Sequence, residues 1–308
     1  MASSNQTDST NQTVPVANPD RMSFGVVIRP QHWSWAEMSA QWAEMEALGF
    51  ESIWTNDHLH GLIGPADGIA FEAQTTLAAI AMSTKNVRFG AMTYSVTHRN
   101  PAILFKQMIT LDHMSNGRAV LGIGAGWYEE EHAAYAVPFP RAGDRVSMLE
   151  EALHLFRKLE TEDHPSHEGR FYQTVETPFA PQPVNGHIPI LIGGNKPRML
   201  GIAGRFADIW DSSLPIDEWQ VTFETVRRHA AEAGRDPLSI TGSTGVWGPS
   251  SAWSGPPSDN DFADKVRAAY KAGARQMLLK HTPDREGIET FPHLMQNIVP
   301  ELRAELER

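Results

Sequence analysis

Three segments of this 308-residue chain carry residue types that could do chemistry. Trp54-Thr55-Asn56-Asp57-His58 ends a short apolar run in a carboxylate and an imidazole, the groups that move protons near neutral pH. Gly117-Arg118-Ala119-Val120-Leu121-Gly122-Ile123-Gly124-Ala125-Gly126-Trp127 is a second apolar run, closing on three alternate glycines. Glycine at a strand end lets a flat or phosphorylated ligand approach the backbone where a Cβ would block it. The spacing is not the dinucleotide fingerprint. Counting from Gly122 puts Trp127 where the third glycine belongs, and counting from Gly124 puts Glu129 there. In the third segment, Gly193-Gly194-Asn195-Lys196, a strand gives way to a helix, so free N–H groups, a positive dipole end and a lysine make an anion site. The three together describe a flat ligand lying over glycine backbone, with a phosphate near Gly193 and the Asp57-His58 pair beside its reactive part.

Other polar groupings have plainer readings. Glu129-Glu130-Glu131-His132 contains Glu-x-x-His, but with no second copy it reads as a solvated acidic helix start, and no metal site is expected. His164-Pro165-Ser166-His167 reads as an exposed loop. Tyr94 and His98 either touch a ligand or order the loop after the third strand. Lys280 and His281 end the last strand, where alternation lets only one of them face inward. Trp33 and Trp54 read as core residues, with Trp33 also placed to flank a substrate.

The elements that position these residues alternate. Strands are expected at 24–28, 52–55, 87–93, 120–123, 188–192, 208–211, 238–244 and 276–280, each followed by a helical stretch. Trp35, Met38, Trp42, Met45 and Leu48 recur at helical spacing after the first strand, Pro101 sits at a favoured first-turn position, and 144–159 forms a long helix. Eight β/α repeats predict a (β/α)8 TIM barrel spanning 23–308 with loop insertions, and its chemistry belongs at the C-terminal ends of the strands. Insertions are expected at 163–186, as a small hairpin around Gly169-Arg170-Phe171-Tyr172, and at 247–259, a loop carrying Trp247 and Trp253. Residues 1–22, rich in Ser, Thr, Asn and Gln, predict a disordered tail without the apolar stretch of a signal peptide.

A net charge of -11 argues against nucleic acid or an anionic membrane as the main partner. The absence of cysteine excludes disulfides, thiolate metal sites and a cysteine nucleophile, and it accords with a cytoplasmic, soluble protein.

The segments Gly49-Phe50-Glu51-Ser52-Ile53-Trp54-Thr55-Asn56-Asp57-His58, Arg99-Asn100-Pro101 leading to Leu111-Asp112, Gly117 through Trp127, Pro189-Ile190-Leu191-Ile192-Gly193-Gly194 and Ala207-Asp208-Ile209-Trp210, in that order, resemble the bacterial luciferase-like monooxygenase superfamily. They look most like its branch that uses the deazaflavin coenzyme F420. The resemblance implies that His58 lies near C5, the hydride-carrying carbon, and that Asp57 bonds the ring region. It also implies that Met92 and Thr93 are joined by a cis peptide bond forming a bulge behind the ring. Gly122, Gly124, Ala125, Gly126 and Trp127 would wall the cofactor, and Gly193, Gly194 and Asn195 would hold its phosphate. Trp127 stands where F420-dependent glucose-6-phosphate dehydrogenases carry a catalytic Glu, which argues against the sugar-phosphate reaction and leaves the second acid-base partner unidentified.

The first functional reading is therefore an F420-dependent oxidoreductase acting on a small organic substrate. The second is an FMN-dependent monooxygenase using reduced flavin and oxygen, since the single phosphate of FMN suits the same turn. A third is a barrel that binds without catalysing. Loops rich in Trp, His and Pro point to an apolar or aromatic substrate, and the family resemblance implies a homodimer.

Overall fold

The computed structural model describes residues 20–62, 65–246, 258–280 and 290–308. Eight parallel strands follow one another around a closed barrel: β1 (Ser23–Val27), β2 (Ser52–Thr55), β3 (Arg88–Ala91), β5 (Ala119–Gly124), β8 (Ile190–Gly193), β9 (Ile209–Asp211), β10 (Thr241–Val246) and β11 (Ala274–Lys280). Closure comes from β11 pairing with β1 at one seam and β3 with β5 at another. A short strand β4 (Tyr94–Ser95) continues the line of β3 along β5, and β6 (His167–Glu168) with β7 (Gln173–Thr174) forms the antiparallel hairpin expected within 163–186. The expected (β/α)8 TIM barrel is the observed fold.

Helices α1 (Trp35–Ala47), α2 (Ala73–Ser83), α3 (Pro101–Ser115), α4 (Glu129–Ala134), α5 (Ala142–Thr161), α6 (Pro197–Phe206), α7 (Ile216–Glu232) and α8 (Asp259–Lys271) separate the strands. Their starts are written locally. Ser34 and Glu37 form a reciprocal capping box on α1, and Asn100 accepts from the first N–H groups of α3 with Pro101 at the opening turn. Residues 238–240, expected to open the seventh strand, instead end a 3-10 turn, because Pro237 starts it and the Asp236 side chain accepts from Leu238 N–H.

Two layers of apolar packing hold the barrel. Val27, Trp54, Val120, Leu191, Ile209 and Leu278 fill its interior, while the large outer core lies between strands and helices. Trp54 is therefore a core residue, its indole N–H donating to Ser52 Oγ at 2.9 Å. Trp33 is likewise buried. Residues 1–19 of the expected tail lie outside the described residues. Arg21 and Met22, also assigned to it, are already packed: Arg21 pairs with Glu51 at 2.8 Å and Met22 is buried. The 247–259 loop up to residue 257, with Trp247 and Trp253, and His281 also fall outside them. No described helix is long and apolar enough to cross a membrane.

Candidate active site

A misalignment between two neighbouring strands builds the site. Gly90 pairs with Val120 and Tyr94 with Ile123, so four steps along β3 and β4 face three along β5. The extra residue is a bulge, and within it the Met92–Thr93 peptide bond is cis, as the resemblance implied. The bulge also explains two glycines. A Cβ on Gly122 would lie 2.0 Å from the Ala91 carbonyl oxygen, and one on Gly124 would lie 2.8 Å from Thr93 Oγ1. Gly122, expected as a cofactor contact, is thus required by strand packing and does not line the cavity.

A cavity of about 350 Å³ opens on this bulge at the C-terminal end of the barrel. Its wall includes Asp57, His58, Met92, Thr93 and His98 on one side and Gly124, Ala125, Gly126, Trp127, Gly193 and Gly194 on the other. This volume lies at the lower end of the roughly 300–1,000 Å³ typical of small-molecule sites. Asn195 is not on that wall. It is exposed, and its Oδ1 accepts from Ser212 Oγ at 2.8 Å. Trp127 stands at the cavity with 66% of its surface exposed, stacked on Tyr128 and edge-on to His58 at 5.9 Å.

Asp57 and His58, neighbours in sequence, do not pair with each other. Adjacent residues at a strand end diverge, and each takes its partner from elsewhere. Asp57 receives a two-pronged contact from Arg99 (2.8 and 2.9 Å), a bond from His98 Nδ1 at 3.2 Å and the Ser95 N–H at 3.0 Å. Burial alone would raise its carboxyl, but the bonds and charges of His98 and Arg99 prevail and hold it down at about 2. The Asn100 cap and Pro101 fix where α3 begins, and that places His98 and Arg99 at the barrel mouth.

His58 pairs instead with Glu131 of α4: Nδ1 lies 3.1 Å from Oε2. Glu131 Oε1 accepts the Leu59 N–H at 2.5 Å, and the same Oε2 lies 3.5 Å from His98 Nε2. Burial pushes the Glu131 carboxyl up, yet the bonds from His58 and Leu59 and the nearby histidines hold it below its ordinary range. The expectation of a solvated acidic helix start is therefore wrong for half of Glu129–His132. Glu129 and Glu130 are exposed, whereas Glu131 and His132 are buried. The signal was present: α4 turns Ala133 and Ala134 outward and a carboxylate and an imidazole inward, the reverse of ordinary amphipathicity.

His132 ends a second string of bonds. Its Nδ1 can only donate to the Tyr128 carbonyl (2.7 Å), so Nε2 accepts from Thr97 Oγ1 (2.6 Å), which in turn accepts from Ser95 Oγ (2.6 Å). Burial disfavours its charged form. Gly126, at φ +75°, seals this corner, since a Cβ there would lie 2.4 Å from Ser95 Oγ.

Of the undecided residues, His98 lines the cavity, and Tyr94 is buried with its hydroxyl donating to Gln74. Lys280 is half-buried and donates to Ser213 Oγ at 2.6 Å. His167 is not exposed: it packs beside Glu151, 3.4 Å away. Among the described residues no group of His and carboxylate side chains has the arrangement of a metal site.

Comparison with known proteins follows from this geometry. A family model described as luciferase-like monooxygenase matches residues 22–281. The chain is 31% identical over 214 residues to the phthiodiolone/phenolphthiodiolone dimycocerosates ketoreductase of Mycobacterium kansasii, covering 62% of this chain and 57% of that one. It is 31% identical over 164 residues to the F420-dependent glucose-6-phosphate dehydrogenase of Amycolatopsis mediterranei (strain U-32), covering 53% and 49%. The chain thus spans about half the length of the curated relatives it matches. Among solved structures, an F420-dependent secondary alcohol dehydrogenase in complex with an F420-acetone adduct superposes with a TM-score of 0.81 at 18% identity, covering 92% of this chain and 99% of the other.

Proposed function

Because the chain belongs to the luciferase-like monooxygenase family, we propose that it is a coenzyme F420-dependent oxidoreductase that moves a hydride between deazaflavin C5 and a small organic substrate. The observation that carries this reading is His58. One ring nitrogen is held by a buried carboxylate, and the other has no partner among the described residues, on a cavity bounded by a cis-peptide bulge and glycine backbone. The relative named as F420-dependent supports the choice of cofactor, and the one named as a ketoreductase supports a carbonyl substrate.

The residues suit the group. Met92 and Thr93 would give a flat ring a surface to rest on, Gly124, Ala125 and Gly126 would let it approach the backbone, and Trp127 would help to enclose it. Gly193 and Gly194, with the backbone around Asn195 at the start of α6, would hold a phosphate by N–H groups and helix dipole, and Lys196 adds charge. Bound in reduced form, F420 would supply the hydride for a carbonyl or an electron-poor double bond. In that direction protonated His58 would give a proton from Nε2 to the substrate oxygen or the adjacent carbon, and the neutral imidazole would recover one from solvent. In the other direction neutral Nε2 would take the alcohol proton. Asp57 does not touch this proton. Through Arg99, His98 and the Ser95 N–H it ties the His58 loop to the bulge, so that the proton carrier and the ring platform keep one spacing.

Fluorescence titration of the purified protein with F420 and with FMN tests the assignment. F420 should bind tighter by at least about tenfold, roughly 1.4 kcal/mol. The reverse preference would replace it with the FMN monooxygenase reading, and binding of neither would leave a non-catalytic barrel.

A further inference from the structure

We infer that Glu131 is the positioning residue for His58, fixing the ring as its Nδ1–H tautomer and leaving Nε2 to face the reacting atoms. This inference rests on the role proposed for His58 and adds the group on which that role depends. Three observations support it. Glu131 is 1% exposed and its Oε2 lies 3.1 Å from His58 Nδ1, and an ionised carboxylate can only accept, so the proton must sit on Nδ1. The second oxygen takes the N–H of the very next residue, Leu59, so a single carboxylate grips the chain at two consecutive positions. The residue that caps the same helix adds a third hold, because Tyr135 Oη donates to the Leu59 carbonyl at 2.8 Å. The rings of Trp127 and Tyr128, edge-to-face with the imidazole at centroid distances of 5.9 and 6.1 Å, complete the enclosure.

The chemistry follows from the tautomer. With Nδ1–H donated to Glu131, neutral His58 presents a lone pair at Nε2 and protonated His58 presents an N–H there, so one geometry serves both directions of proton transfer. A base held by a third group in this way is the arrangement that activates acid-base centres on unrelated folds.

A purely structural role for Glu131, pinning the loop through Leu59, makes a different prediction, and Glu131→Gln separates the two. The amide oxygen can still accept from Leu59 N–H, but the group then facing His58 is an NH2 donor, so Nδ1 must accept and the ring proton moves to Nε2. The probe is ¹⁵N-histidine-labelled protein, with the His58 signals identified by their loss in His58→Gln. Wild type should show His58 protonated at Nδ1, Glu131→Gln should show it protonated at Nε2, and Glu131→Asp, which keeps the charge, should retain Nδ1–H. With a carbonyl substrate, kcat of Glu131→Gln should fall by about 10²–10⁴-fold while KM and F420 affinity hold within about threefold. A wild-type His58 protonated at Nε2 overturns the inference without any Glu131 variant. So does unchanged tautomer and kcat in Glu131→Gln when His58→Gln has lost turnover. If His58→Gln itself retains full turnover, it is the proposed role of His58 that fails.

Discussion

The barrel carries a half-buried histidine–carboxylate cluster at each end, and the two are finished differently. At the N-terminal ends of β8 and β9, His187 is held by Glu160 at Nδ1 (3.1 Å) and by Asp208 at Nε2 (2.8 Å). Those carboxylates also accept the Ile188 and Ile190 N–H groups, and Arg157 and Arg235 stand 3.7 and 3.5 Å from them. Both ring nitrogens donate, and nothing is left over. Burial lowers the His187 pKa, but the two carboxylates outweigh it and lift it to about 9. At the C-terminal ends of β2 and β3, Asp57, His98, Glu131 and His58 use the same residue types. There His98 Nε2 makes no hydrogen bond and His58 Nε2 faces the cavity. The same ion-pair chemistry thus produces a clamp where both ring nitrogens are engaged and a cavity wall where two are left open. The barrel places the first on the face that serves stability and the second on the face that serves chemistry.

Substitutions can break this contrast, and the expected effects fall in order. His58→Gln should lower kcat by about 10²–10⁴-fold while leaving the unfolding midpoint in denaturant nearly unchanged, since only one of its bonds is lost. Asp57→Asn should cost about 3 kcal/mol of stability, because half-buried Arg99 loses its two-pronged partner and keeps only Glu72, 3.3 Å away. Urea unfolding at constant m-value would measure it.

His187→Gln sharpens the comparison through pH. The folded-state pKa of His187 lies above the roughly 6.5 of an unfolded histidine, so its contribution is complete below about pH 6.5. It is then lost as pH rises through about 9. The size is on the order of 3 kcal/mol. Stability measured from pH 6 to pH 10 should fall in wild type and stay flatter in the variant, with F420 turnover at neutral pH unaffected. The smallest effect belongs to Trp127→Ala. So exposed a side chain should cost less than about 0.5 kcal/mol of stability, and its removal should appear in cofactor and substrate affinity instead.

Much of this was legible in the chain. Alternating apolar runs and helix caps such as Asn100-Pro101 located the barrel, and the glycine-ended strand and Met92–Thr93 located the mouth. What sequence order hid was pairing. Asp57 and His58 read as a couple because they are adjacent, yet strand geometry sends them apart, to Arg99 and His98 on one side and to Glu131 on the other. Glu131 was hidden by two acidic neighbours that really are solvated. Gly122 was read as a ligand contact, but its need for hydrogen in place of a side chain comes from the Ala91 carbonyl, a consequence of a one-residue register slip between strands.

Hydride transfer and oxygen chemistry at His58 are separated by mixing the protein with reduced F420 and a panel of ketones and electron-poor alkenes under strict exclusion of oxygen. If His58 serves hydride transfer, oxidised F420 reappears together with reduced product without oxygen, and this is suppressed in His58→Gln. Cofactor oxidation that begins only when oxygen is admitted would contradict that role.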